Sequence, residues 1–210
     1  MPGLSIDHVL THGTFALDGG EWEVDNNIWI VGDESEVFVI DAAHDAQPII
    51  EAVGNRHVKG ILCTHAHNDH ITVAPELSRA FDAPIWVHPG DDMLWTDTHP
   101  ELSHEDLADG QEFSIAGASL RVLNTPGHSP GSCCFYLPEA NELFSGDTLF
   151  QGGPGATGGR SYTSFPTIID SIRGSLLTLP AETIVHTGHG DHTSIGAEAP
   201  HLEEWIRRGY

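Results

Sequence analysis

The sequence predicts one α/β domain built as a four-layer αββα sandwich, and three observations predict it. Short β-rich runs recur along the chain, helical patterns separate them in pairs, and polar, metal-competent side chains stand where several of the runs end. The 210 residues suffice for a single domain, 1–210, with a full hydrophobic core, and no repeat, low-complexity tract or long linker divides them.

The expected strands are NIWIVG (27–32), EVFVID (36–41), VKGILCT (58–64), PIWVH (84–88), LRVLNT (120–125), SCCFYL (132–137), ELFSGD (142–147) and TIVHTG (183–188). Each is rich in β-branched or aromatic residues and is bounded by turn-forming ones. Helices are expected after Asp45, after Ile71, after Pro166 and after Ser194. In the third, Ile168, Ile169, Ile172 and Leu176 recur at helical spacing, and Pro166 suits a helix start. Strands in pairs, with helices between the pairs, give two sheets covered from outside.

Composition excludes several function classes. With 31 Asp and Glu against 8 Lys and Arg, the formal net charge is -23, so nucleic acid, which is bound by neutralising its phosphates, is not an expected partner. An anionic membrane surface is excluded on the same ground, and no apolar run approaches the roughly 18 residues of a membrane span. The start, MPGLSIDHVLTHGT, carries neither a basic nor an apolar signal region, so the expected location is cytoplasmic. Cys63, Cys133 and Cys134 form no CxxC pair and lie in apolar runs, as buried free thiols in a reducing compartment do. The acidic stretch 88–112, HPGDDMLWTDTHPELSHEDLADGQE, reads as a solvated surface excursion.

The chemistry concentrates in CTHAHNDH, residues 63–70. His65 and His67, two apart on an extended segment, point to the same side and can grip one ion. Asp69 and His70, at the start of the next helix, can face a second. Imidazole and carboxylate ligands suit zinc, at bond lengths of roughly 2.0 to 2.2 Å. Three further segments add candidates at strand ends: His128 in TPGHSPGS, Asp147 in SGDTLF and His189 in TGHGDHT. Each alone is a common turn or loop residue; with the first four they make seven ligands.

This set resembles the metallo-β-lactamase superfamily, and within it the glyoxalase II-like hydrolases: HxHxDH occurs as His65, His67, Asp69 and His70, and the downstream motifs as His128, Asp147 and His189. The resemblance covers nearly the whole chain and implies the metallo-β-lactamase fold. It implies two Zn²⁺, the first on His65, His67 and His128, the second on Asp69, His70 and His189, with Asp147 bridging both. Lactamases proper commonly carry cysteine or serine at the bridging position. By the same resemblance Asp41 hydrogen-bonds a ligand histidine and fixes its tautomer, and the glycine-rich loop 150–162 meets substrate through Arg160, Ser161 and Tyr162. His12, His44, His88, His99, His104, His192 and His201 read as surface or packing residues.

The activity implied is hydrolysis of a small-molecule thioester by a metal-activated hydroxide, with Asp69 taking up its proton. A thioester suits because a thiolate leaves without a strong general acid. The thiol carrier is expected to be neutral, given the charge of the chain, and mycothiol is one; S-acyl mycothiols such as the formyl adduct are candidate substrates, glutathione thioesters the other. A single lysine and richness in Ala, Gly and Asp resemble actinobacterial hydrolases of thiol-dependent aldehyde detoxification. Two alternatives share the motifs: a persulfide dioxygenase with one Fe²⁺ on His65, His128 and Asp147, and a lactonase or other small-ester hydrolase. A homodimer is the family-level expectation.

Overall fold

The computed structural model describes residues 3–17 and 19–210. Its first sheet has the order β1 (Ser5–Leu17), β2 (Gly20–Gly32), β3 (Glu36–Ile40), β4 (His57–Leu62), β5 (Ile85–Val87), β6 (Glu105–Asp106). The second contains β7 (Glu112–Ile115), β8 (Ala118–Asn124), β9 (Cys133–Leu137), β10 (Glu142–Gly146), β13 (Ile184–Thr187) and β14 (Thr193–Ser194), in that spatial order. A two-stranded ribbon, β11 (Leu149–Phe150) and β12 (Gly153–Pro154), leaves the end of β10.

Strand alternation distributes the apolar side chains over three layers of core. Val37 and Val39 of β3 and Ile61 of β4 pack outward against α1 (Ala46–Val53), α2 (Asn68–Ile71), α3 (Ala74–Phe81) and α4 (Asp92–Thr98). Their neighbours Phe38, Ile40 and Leu62 face the other way and meet Leu120, Val122, Phe135 and Phe144 between the sheets. On β9 the same alternation sends Cys133 into this middle layer and Cys134 and Tyr136 outward, where Ile168 and Ile169 of α5 (Phe165–Ser171), Ile195 of α6 (Ile195–Glu198) and Trp205 of α7 (Leu202–Arg208) cover them. The two adjacent cysteines thus lie in different layers, and all three cysteines are free and buried. This is the four-layer αββα sandwich. No helix among the described residues is long and apolar enough to cross a membrane.

Helix starts follow local chemistry. Asp45 accepts from Gln47 N at 3.0 Å to cap α1, and Ser164 from Thr167 N at 3.3 Å to cap α5, whose first turn carries Pro166. The expected helix after Ile71 begins earlier, as α2, and resumes as α3; the one at Pro166 continues through a π-helical turn over Ile172–Leu176.

The structure departs from the sequence expectations at the start of the chain and in the acidic stretch. The strand expected at 27–32 is the end of a 13-residue strand paired with the equally long β1, which was not expected at all. β1 is an edge strand with little buried apolar content beyond Val9, so it lacks the usual strand signal. The acidic stretch is not a surface excursion throughout: it holds α4, whose Leu94 and Trp95 are buried, and the fully buried Asp91.

Candidate metal centre

The pairings of β8 with β9, β9 with β10 and β10 with β13 give β8, β10 and β13 one direction. Their C-terminal ends lead into His128, Asp147 and His189, and the end of β4 leads through Cys63 into His65, His67 and α2, which carries Asp69 and His70. Backbone bonds between the sheets hold these ends in register: Cys133 N donates to Thr64 O at 2.7 Å, and Asn27 N to Gly188 O at 2.8 Å. Asn27 Nδ2 adds bonds to Thr187 O and Gly190 O.

All seven expected residues converge. His65, His67 and His128 form one group whose ligand atoms lie within 4.8 Å of one another; Asp69, His70 and His189 form a second. Asp147 stands between them, with Oδ1 3.4 Å from His70 Nε2 and Oδ2 3.5 Å from both His128 Nε2 and His189 Nε2. Gly188 has to be glycine here, because a Cβ would stand 2.4 Å from Asp147 Oδ1 and 2.9 Å from His70 Cε1.

The outer ring nitrogens fix the tautomers. His128 Nδ1 donates to Ala156 O at 2.8 Å, His70 Nδ1 to Asp41 Oδ2 at 2.8 Å and His189 Nδ1 to Asp25 O at 2.6 Å. Thr64 gives its only hydroxyl proton to Asp41 Oδ2 at 2.8 Å, so at 3.1 Å it accepts from His65 Nδ1. In the neutral rings each Nε2 of these four histidines therefore presents a lone pair to the centre. His65 Nε2 and His128 Nε2 each lie 3.0 Å from His67 Nδ1. One proton on His67 cannot satisfy three converging nitrogens, whereas a cation does. Asp147 Oδ1, buried without a hydrogen-bond partner, is the matching orphan on the carboxylate side.

Electrostatics divide the site in the same way. Burial, reinforced by the neighbouring imidazoles, pushes the pKa values of His65 and His67 well below the ordinary histidine range. His128 is lowered as well, again chiefly by burial. At His70 burial acts in the same sense, but Asp147, Asp69 and Asp41 outweigh it and raise the pKa to about 10. Burial likewise opposes ionisation of Asp69, and the positive charge of His70 and His189 overrides it, so Asp69 is held below the usual carboxylate range. The acidic half of the site thus demands a positive charge, which a metal ion supplies as well as a proton does. The donor set is of the imidazole and carboxylate kind that holds metal ions.

Of the loop residues expected to meet substrate, two reach the centre. Arg160 lines the cleft with Nη1 3.3 Å from His67 Nε2, and the Tyr162 hydroxyl lies 3.0 Å from the same nitrogen. Ser161 is exposed and is not part of the cleft lining. Phe15 and Val24 from the β1–β2 hairpin also line the cleft, and the Arg160 guanidinium lies over the Phe15 ring, 5.2 Å from its centroid. Sequence reasoning missed this part of the lining with β1. It also missed Asn26, which is buried and donates from Nδ2 to Asp69 Oδ2 at 3.2 Å, and misread His44, whose Nε2 donates to Asn26 Oδ1 at 2.8 Å. An asparagine inside a strand carries no signal of such a role; the fold alone brings it beside Asp69.

Comparison with known proteins agrees with this geometry. The sequence profile of the Metallo-beta-lactamase superfamily matches residues 22–189. The chain is 32% identical over 191 residues to the probable metallo-hydrolase YqgX of Bacillus subtilis, covering 82% of this chain and 88% of the relative. It is 33% identical over 187 residues to the hydroxyacylglutathione hydrolase GloC of Haemophilus influenzae, covering 81% and 87%. Among solved structures, TTHA1623 in a di-iron-bound form superposes with a TM-score of 0.75 at 32% identity, over 84% of this chain and 93% of that one. The chain belongs to the metallo-beta-lactamase superfamily.

Proposed function

We propose that this chain is a binuclear metal-dependent hydrolase that cleaves a thioester of a low-molecular-weight thiol. The observation that carries the reading is the position of Asp147, one carboxylate shared between two complete groups of ligand atoms, with a buried oxygen that has no hydrogen-bond partner. The names of the relatives YqgX and GloC, a metallo-hydrolase and a hydroxyacylglutathione hydrolase, support the reaction class.

In this reading His65, His67 and His128 would hold one ion and Asp69, His70 and His189 the other, with Asp147 placed to serve both. When bound, the pair of ions lowers the pKa of water towards neutrality and polarises a carbonyl oxygen. The residues of the chain do the rest. Asp69, oriented by Asn26, accepts the proton of the attacking water. Phe15 and Val24 give the cleft an apolar wall that excludes bulk water from one side. Among the described residues Arg160 is the one permanently charged cation in the cleft lining, and a net charge of -23 repels a polyanionic carrier. Mycothiol, the neutral carrier suggested by the resemblance, is favoured on charge, and the glutathione in the name of the relative GloC is the alternative.

A second reading is persulfide dioxygenation on a single iron, which the resemblance puts on His65, His128 and Asp147; the group of ligand atoms with that two-histidine, one-carboxylate composition is instead His65, His70 and Asp147. The di-iron form of TTHA1623 means that iron alone does not favour this reading; metal number does. The test is turnover by metal-loaded protein of S-acyl mycothiols, S-acyl glutathiones, simple lactones and a thiol persulfide. Thioester cleavage without oxygen uptake supports the proposal; oxygen consumption with the persulfide and inert thioesters overturns it.

A further inference from the structure

Asp91 lies in the most acidic stretch of the chain, yet its relative exposure is 0%. A carboxylate is costly to bury unless its oxygens are hydrogen-bonded, and the donors found here come from two loops that both carry metal-ligand candidates. Oδ2 accepts from Ala66 N at 3.0 Å and from Ser129 Oγ at 2.7 Å, and Oδ1 accepts from Gly131 N at 2.6 Å. Ala66 is the residue between His65 and His67, and Ser129 follows His128. One side chain is therefore bonded to both loops that supply the three-histidine group. The packing there has no slack: a Cβ on Gly131 would lie 2.7 Å from Asp91 N and 2.8 Å from its Cγ.

The other ligand group is held by different residues. Asp41 bonds His70, the Asp25 carbonyl bonds His189 and Asn26 bonds Asp69, and Asp91 has no hydrogen bond to any of these three ligands. We propose that Asp91 is a positioning residue for the three-histidine metal site alone: it sets the distance between the His65–His67 loop and the His128 loop, and so decides the affinity of one of the two sites. The inference rests on the metal-binding reading of the centre.

The carboxylate has a specific requirement that tests the idea. In Asp91→Asn one acceptor oxygen becomes an amide NH₂, which must face either Gly131 N or the pair Ala66 N and Ser129 Oγ, so a donor meets a donor at nearly constant volume. Ser129→Ala removes only one of the three donors and perturbs folding less. Both variants and the wild type are loaded with cadmium-113 and examined by NMR, with the three-histidine resonance assigned by its loss in His128→Ala. Chelator competition gives the affinity of each site, and circular dichroism verifies the fold.

In Asp91→Asn the three-histidine site is expected to weaken about 10- to 100-fold while the other keeps its wild-type affinity; Ser129→Ala shifts the same site in the same direction by less. Equal weakening of both sites, as a merely structural role would give, overturns the proposal, and so does retention of both at wild-type affinity. Should Asp91→Asn fail to fold, Ser129→Ala decides by the same criterion. A wild-type chain that binds no cadmium refutes the metal-binding reading itself, an outcome separate from any result in the variants.

Discussion

His70 donates its Nδ1 proton to Asp41 Oδ2 across 2.8 Å, and neither side chain is open to water. Asp41 adopts a left-handed backbone conformation, φ 64°, one that non-glycine residues seldom take outside constrained sites. It also accepts from Thr64 N at 2.7 Å and from Thr64 Oγ1, which in turn receives His65 Nδ1. One carboxylate thus orients a histidine in each ligand group. Asp41→Asn is expected to lower metal affinity by about 10- to 100-fold, read by chelator competition on the loaded protein. Wild-type affinity in that variant would show that the tautomer of His70 does not depend on Asp41.

The chain His44, Asn26, Asp69 makes a second prediction. Asn26→Leu keeps the volume and removes the bond to Asp69 Oδ2, so Asp69 loses its orientation as proton acceptor. For the metal-saturated variant we expect a fall in kcat/KM of about 10- to 100-fold with both metals retained, and for His44→Ala a smaller fall in the same sense. Steady-state kinetics beside metal analysis separates the two effects.

Metal removal should cost stability. Ions that bind the folded state alone, at 100 times their Kd, contribute about 2.7 kcal/mol per site, and in a domain of this size that lowers Tm on removal by roughly 5 to 10 °C per site. Differential scanning calorimetry before and after chelation measures it. An unchanged Tm would mean that the seven side chains hold no ion.

Without metal, the histidines give stability a definite pH dependence. The folded-state pKa values of His65, His67 and His128 lie below the unfolded value near 6.5, so the unfolded chain binds more protons as pH falls below it and stability drops. His70, raised to about 10, acts in the opposite sense: its contribution is complete below about 6.5 and is lost as pH rises towards 10. Stability of the metal-free protein should therefore peak near neutrality and decline on both sides. Metal-loaded protein should lack the alkaline decline, since the ion replaces the proton on His70. Urea titrations across pH, with and without metal, check both limbs.

The ligands were legible in the sequence because each follows an apolar strand that has to end somewhere, and HxHxDH, TPGH, SGD and TGHG mark those ends. The layers were legible too, since the strands come in pairs with helical patterns between the pairs, which gives two sheets covered from outside. What holds the ligands was not legible. Asn26 and Asp25 lie on a strand that reads as polar until its partner is known, Ala156 contributes only a carbonyl oxygen, and Asp91 sits among acids that do face water. Their roles arise from contacts between distant segments, which local spacing does not encode. The edge strand β1 was missed for a related reason: it is held by pairing along its length with β2 and buries little beyond Val9, so few of its side chains need to be apolar.

The most direct test of the binuclear centre is the number of metal ions per chain in the purified, untagged protein, measured by elemental analysis. The account predicts about two, of zinc or of iron, held until a chelator removes them. About one per chain would contradict the bridging role of Asp147 and bring the single-iron reading forward, and none would contradict the metal centre altogether.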